Sequence, residues 1–134
     1  MFDTPPNFHD GYLTGIQLLD REVRLSLTRY NDERWLVTLA GVEALHIDDF
    51  REGNIVSSLD VIQNERPETE LLERLFLSPH LEAPQSYKDD HMAAIEARVA
   101  RVLAAEAAVV SISPAYGADL VAFVTGVRAV RLDP

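Results

Sequence analysis

Alternating apolar and polar residues mark the first third of the chain as antiparallel strand. Tyr12–Leu19 has the aliphatic character of a first strand, and between Glu22 and Thr28 every second residue is apolar. The same period resumes at Trp35 after the polar turn Tyr30–Glu33, so we predict a hairpin of half-buried strands. At Gly41 the alternation loses phase, which predicts a bulge or bend.

A polar segment from His46 to Asn54 follows this hairpin. It is polar apart from Ile47 and Phe50, and Gly53 accepts a positive φ, so we predict a loop that Phe50 anchors. The apolar content of Ile55–Ile62 predicts the next strand.

Two segments in the second half have helical periodicity. Pro67 suits the first position of a short helix that ends before Pro79, because its missing amide donor costs nothing there. A longer helix is predicted from about Tyr87 to Ala108, since alanines raise helix propensity and large apolar residues recur on one face. That apolar stripe consists of Met92, Ile95, Val99, Val102 and Leu103. We predict that the long helix is the principal cover of the core.

The C-terminal part of the chain returns to strand patterns. Val109–Ser113 predicts a short strand, and Pro114–Ala118 predicts a turn. Leu120–Val127 is apolar on both alternating faces, which is typical of a central strand covered on both sides. The alternation that continues to Leu132 predicts an edge strand.

These elements fit one domain, because 134 residues suffice for a single core. Strands joined by short turns and helices clustered between them favour an α+β class. We predict a mainly antiparallel, bent sheet of about six strands packed against one long and one short helix.

The amino-acid composition excludes several classes of function. There are no cysteines, so disulfides, thiolate catalysis and cysteine metal sites are excluded, and a reducing cytoplasm is favoured. The start of the chain lacks the features of a secretory signal, and no run reaches the ~18 apolar residues of a membrane helix. A cytoplasmic location without membrane partners is therefore expected.

The charge is strongly acidic. Twelve basic and 22 acidic residues give a formal net charge of -10, and Lys88 is the only lysine. Because lysine and arginine contacts to phosphate dominate nucleic-acid affinity, we expect no nucleic-acid binding. A basic protein is the partner that such a surface favours.

Candidate chemistry concentrates in two polar stretches. His9 and Asp10 lie in the first, and His46 with Asp48 in the second, and these four would form a site only if the fold brought them together. The densest acid cluster adds Asp49 and Glu52.

Tyr116 in the predicted turn is a further candidate binding residue, whereas Trp35 is expected in the core. The chain has no strained-serine, phosphate-loop or dinucleotide motif. We therefore predict no catalytic residue, no metal site and no cofactor.

The chain resembles small bacterial α+β proteins, including immunity-type proteins associated with polymorphic toxins. The residues that carry the resemblance are Phe8-His9-Asp10-Gly11, Gly15-Ile16, Leu39-x-Gly41-Val42-x-x-Leu45, Phe50, Gly53-Asn54-Ile55-Val56 and Ser113-x-x-Tyr116-Gly117. The resemblance implies a small α+β fold and an inhibitory binding role. It assigns no catalytic residue.

Three functions are open at this point. The first is a non-enzymatic protein-interaction domain, such as an immunity-like inhibitor of a basic toxin or nuclease. The second is a small enzyme or ligand-binding domain whose pocket lies near His9, Asp10, His46 and Asp48. The third is a homo-oligomeric structural module that pairs through a sheet edge.

Overall fold

Eight β-strands supply most of the regular structure in this computed structural model, which describes residues 1–132. The strands are β1 (Tyr12–Leu19), β2 (Glu22–Thr28), β3 (Arg34–Ala40), β4 (Ala44–Asp48), β5 (Asn54–Ile62), β6 (Ala108–Tyr116), β7 (Asp119–Val124) and β8 (Gly126–Arg131). Two helices, α1 (Thr69–Leu75) and α2 (Gln85–Leu103), lie between β5 and β6 in the chain. All ladders between these strands are antiparallel.

The sheet closes on itself. Its hydrogen-bonded order is β4-β7-β6-β5-β1-β2-β3-β8, so β3 and β4 would lie roughly 29 Å apart if the sheet were flat. The linker 41–43 spans at most about 15 Å, and Thr125 alone joins β7 to β8. The two ends therefore meet. The Thr125 amide donates to the Ala40 carbonyl at 2.9 Å, and the Glu43 amide donates to the Phe123 carbonyl at 2.9 Å.

The predicted fold class, a bent sheet of about six strands packed against one long and one short helix, is wrong. The described chain has eight strands in one sheet, because two long strands each break in two. One break falls at Gly41, where φ is 58° and an added Cβ would collide with the Thr125 side chain. The other falls between β7 and β8, just before Gly126. The bend predicted at Gly41 is confirmed.

The larger hydrophobic core lies inside the closed sheet. In β2, Val23, Leu25 and Leu27 point inward and are almost fully buried. Phe8 enters this core from the segment before β1, and its ring meets Trp35 edge-on at 6.4 Å. Because these side chains fill the interior, the outer face is the surface that remains for binding.

A second, smaller core lies on the outer face of β6 and β7, under both helices. Its buried members are Leu72, Ile95, Val99, Val102, Ala107, Val109, Val121 and Phe123. The residues of β7 from Leu120 to Val124 are all buried, since they alternate between the two cores. This confirms the prediction of a strand covered on both sides, although the strand ends before Val127.

Helices form in both predicted segments, with different limits and a different role for the longer one. Helix α2 ends at Leu103 rather than Ala108, because Ala105 adopts a positive φ of 58°. Met92 and Leu103 of the predicted stripe are half exposed. The long helix therefore covers only part of the outer face and is not the principal cover of the core.

The predicted loop His46–Asn54 is wrong at both ends. His46–Asp48 belongs to β4, where it pairs with β7, and Asn54 begins β5. The sequence pattern did not indicate this strand, because β4 is only partly buried and carries polar residues. The predicted turn Pro114–Ala118 is also too long, since β6 continues to Tyr116.

The N-terminal residues cover one edge of β8. Phe2 forms a parallel bridge with Val127, and the Asp3 amide donates to the Val127 carbonyl at 2.9 Å. The Asp3 carboxylate also accepts from the Ala129 amide at 3.0 Å. Neither helix in residues 1–132 has the length and apolarity needed to cross a membrane.

Candidate binding surfaces on the outer face

His9 and Asp10 form an exposed pair at the turn before β1. The His9 Nε2 lies 3.4 Å from the Asp10 carboxylate, and its Nδ1 lies 3.0 Å from the Ser57 carbonyl. The turn requires glycine at position 11, since a Cβ there would collide with the backbone carbonyls of Phe8 and Thr28. The pair is therefore held beside β5.

His46 and Asp48 form a second pair on β4. Their side chains lie on the same face of the strand, because they are two residues apart. The His46 Nε2 lies 2.9 Å from the Asp48 carboxylate. Strands β7 and β6 separate β4 from β5, against which His9 lies. The four residues thus form two separate pairs. Across residues 1–132, no three His, Cys, Asp or Glu side chains group in a way that could hold a metal.

Asp49 and Tyr116 are linked through Arg51. The Arg51 Nε donates to the Asp49 carboxylate at 2.7 Å, and the guanidinium lies 5.8 Å from the centre of the Tyr116 ring. The hydrogen bond that Arg51 donates to Asp49 raises the pKa of Arg51, with smaller contributions from the Asp49 charge and from Tyr116. Glu52 is exposed at the tip of the same loop. Arg51 is a residue that the sequence did not single out.

The register of the sheet places two tyrosines in one row. Tyr12 is opposite Ile55 in the β1–β5 pair, and Ile55 is opposite Tyr116 in the β5–β6 pair. Tyr12 is 45% exposed, and Phe50 and Tyr116 are each 49% exposed. We name this surface the aromatic patch, and it consists of Tyr12, Phe50, Arg51, Ile55 and Tyr116. A shallow depression lies between Tyr12, Phe50 and Arg51.

Asn54 holds the aromatic patch together from below. It is 2% exposed, and its side-chain oxygen accepts from the amides of Arg51 at 2.8 Å and Ala118 at 2.9 Å. Its side-chain nitrogen donates to the Leu13 carbonyl at 3.2 Å and to the Arg51 carbonyl. One asparagine therefore joins β1, the loop before β5 and the turn after β6. The resemblance includes Asn54, but the sequence pattern suggested only a turn residue.

A polar cavity of about 440 Å³ opens elsewhere on the outer face, between β5, β6, β7 and the segment that leads into α1. We name it the acidic cavity. Its charged lining residues are Asp60, Glu65, Arg66, Glu68, Glu70, Arg74 and Asp119, and the serines are Ser111 and Ser113. These residues are scattered over 60 positions of the chain, between Asp60 and Asp119, so only the fold reveals their proximity.

Arg74 is the most enclosed charge in this cavity. Its Nη1 lies 2.9 Å from the Asp119 carboxylate, and its Nη2 lies 3.8 Å from Asp48. The buried Nη2 has no hydrogen bond. Because two carboxylates flank it, the guanidinium serves to join α1 to β4 and β7.

A scan against protein-family models, a search of curated proteins and a search of solved structures each found no match. The resemblance to immunity-type proteins therefore stays a prediction.

Proposed function

We propose that this protein is a non-enzymatic interaction domain that binds a basic protein through the aromatic patch. The observation that supports this most is the row formed by Tyr12, Ile55 and Tyr116, with Phe50 and Arg51 beside it. Tyrosine and arginine are enriched among the residues that contribute most to protein interfaces. An apolar centre with a polar rim is the usual anatomy of such interfaces.

The patch is also pre-organised. Asn54 fixes the loop that carries Arg51, and Asp49 holds the guanidinium near the Tyr116 ring. Side chains that are already ordered lose less conformational entropy when a partner binds. The structure of the free protein thus favours binding without rearrangement.

The charge of the chain favours a basic partner. The net charge is -10, and Glu52 lines the same depression as Phe50. Acidic surfaces accelerate the encounter with basic ones and repel other acidic proteins. Association with this partner is therefore expected to weaken as salt concentration rises.

The partner class that combines these properties is a basic toxin or nuclease. A nuclease binds phosphate through lysine and arginine, so an acidic domain that covers that surface would inhibit it. This is the immunity-like role that the sequence resemblance implies. A cytoplasmic location accompanies the proposal, since a chain without cysteine suits a reducing compartment.

Affinity capture from the source cell, followed by co-expression with the recovered protein, tests the proposal. Wild-type protein is expected to retain one stoichiometric basic partner at low salt. The double variant Tyr12→Ala/Tyr116→Ala is expected to lose at least about tenfold in affinity, because interface tyrosines often contribute more than 1 kcal/mol each. Tyr87→Ala is the matched control, since Tyr87 is an exposed tyrosine on α2.

Two outcomes would contradict the proposal. One is the recovery of no stoichiometric partner from the source cell or by co-expression. The other is a partner that the double variant and the Tyr87 control bind equally well.

A further inference from the structure

We propose that the acidic cavity is a second binding site, which takes an organic cation bearing a guanidinium or primary ammonium group. This site is separate from the aromatic patch: it lies near α1, whereas the patch lies at the start of β1 and β5 and the end of β6. The proposal rests on the charge balance of the cavity, one unpartnered hydroxyl on its wall and the composition of the lining.

The charges that line the cavity do not cancel. Arg66 is neutralised from outside the cavity, because both oxygens of Glu96 accept from it, at 2.7 and 3.1 Å. Arg74 is neutralised by Asp119 at 2.9 Å. The carboxylates that then have no ion pair with any described residue are Asp60, Glu65, Glu68 and Glu70. The cavity therefore retains an excess of negative charge.

Ser111 supplies an independent sign that the cavity takes a ligand. The residue is only 8% exposed, yet it lines the cavity, and its hydroxyl has no hydrogen-bond partner within residues 1–132. Most buried polar side chains have a partner. The Ser111 hydroxyl is not among the fully enclosed side-chain atoms, so the small part of it that remains accessible opens into the cavity, where a ligand donor can reach it. Ser113 lies two positions further along β6 on the same outer face. A cation with several N–H donors would satisfy the hydroxyl and reach the carboxylates together.

The remaining lining favours an organic cation over a metal ion. The carboxylates are dispersed around the cavity, and the described chain has no group of acids arranged to hold a metal. Apolar side chains also line the cavity, namely Val61, Ile62, Pro67 and Leu71. An alkyl chain can pack against these residues while its charged end meets the acids. A cavity of about 440 Å³ falls in the range of small-molecule sites.

Two sources can supply this chemistry. One is a free alkyl guanidine or polyamine. The other is an arginine or lysine side chain of the basic partner, in which case this site would add to binding at the aromatic patch. Agmatine and a blocked arginine tripeptide present the same group in the two forms.

Isothermal titration of the purified protein with each probe tests the site. We expect saturable binding of agmatine that falls roughly 10- to 25-fold in Glu68→Gln/Glu70→Gln, because a solvated carboxylate near a bound cation contributes a factor of about three to five. The matched control is Glu82→Gln/Glu106→Gln, which removes the same charge from exposed positions outside the cavity. Its affinity for agmatine should stay within about twofold of wild type.

Ser111→Ala separates a ligand-binding hydroxyl from a structural one. Agmatine affinity should fall at least about tenfold, since the hydroxyl bonds a charged group. The thermal midpoint of the free protein should not fall, because the hydroxyl has no partner to lose. A lower midpoint with unchanged affinity would overturn this role of Ser111.

The outcomes of the titration are distinct. Binding of agmatine but not of the tripeptide assigns the site to a free cation, and binding of both assigns it to a side chain of the partner. No saturable binding of either probe at millimolar concentration overturns the proposal, and so does an equal loss in the cavity and control variants. Tyr12→Ala/Tyr116→Ala should bind agmatine normally, so this test does not depend on the aromatic patch.

Discussion

Asn54→Ala removes the side chain that joins three segments beneath the aromatic patch. Wild-type Asn54 bonds the backbone of Arg51 twice, the amide of Ala118 and the carbonyl of Leu13. Arg51 lies in an exposed loop, where water can replace the lost bonds. Ala118 and Leu13 are each 1% exposed, so their backbone groups lose their partner without access to water.

The magnitude follows from these two buried groups. A buried backbone group without a partner costs about 1–3 kcal/mol, so the variant should lose about 2–6 kcal/mol of unfolding free energy. For a chain of 134 residues, each kcal/mol corresponds to about 3–5 °C in thermal midpoint. We therefore expect the midpoint to fall by at least about 6 °C.

Urea and thermal denaturation monitored by circular dichroism measure this loss. Gln17→Ala is the control, since Gln17 is exposed on β1 and its side chain has no hydrogen bond within residues 1–132, and its effect should be within about 0.5 kcal/mol. Asn54→Asp keeps the accepting oxygen but places a second oxygen against the Leu13 carbonyl, so it should also destabilise. If Asn54→Ala is as stable as Gln17→Ala, Asn54 does not hold these segments together.

The remaining predictions concern the turn after β6, the sheet closure and one ion pair. Gly117→Ala should lower the unfolding free energy by at least about 2 kcal/mol. At this position φ is 88°, and the added Cβ would collide with the Asn54 side chain. Gly53 has a φ of 79° but open space around it, so Gly53→Ala should cost only about 1–2 kcal/mol. If urea denaturation gives the same loss for both variants, the collision with Asn54 does not contribute to the cost of Gly117→Ala. The Thr125 amide should exchange slowly with deuterium in NMR, because it closes the sheet on the Ala40 carbonyl, and exchange at the rate of an open loop would contradict closure. The hydrogen bond from Arg101 lowers the pKa of Glu43 below its ordinary value of 4.5. Since that pKa is lowered in the folded state, the pair stabilises the protein above pH 4.5 and the contribution is lost as the pH falls through the folded pKa. Glu43→Gln should therefore cost about 1 kcal/mol at pH 7 and progressively less as the pH falls below 4.5, and a cost independent of pH would contradict this pairing.

Local periodicity predicted the β2–β3 hairpin and the burial of β7, because alternation reports directly which face of a strand is covered. It did not predict closure of the sheet. Closure depends on the pairing of β3 with β8 and of β4 with β7, strands that lie far apart in the chain. The pattern of one strand does not indicate which distant strand lies beside it.

The same limit applies to the candidate site, because its residues come together only through strands that are distant in the chain. Tyr116 was identified from its turn, but the row that it forms with Tyr12 exists only through the register of β5. His46 and Asp48 were assigned to a loop because their side chains are polar, although β4 is a strand. Ser111 belongs to no sequence motif. It becomes a candidate only because it lines a cavity that distant segments of the chain form.

Hydrogen–deuterium exchange of the protein with its captured partner tests the proposed interaction surface most directly. We predict that binding slows exchange in the segments around Tyr12, around Phe50–Ile55 and around Tyr116, while α2 is unchanged. Protection confined to α2, or no protection of these three segments, would contradict binding at the aromatic patch.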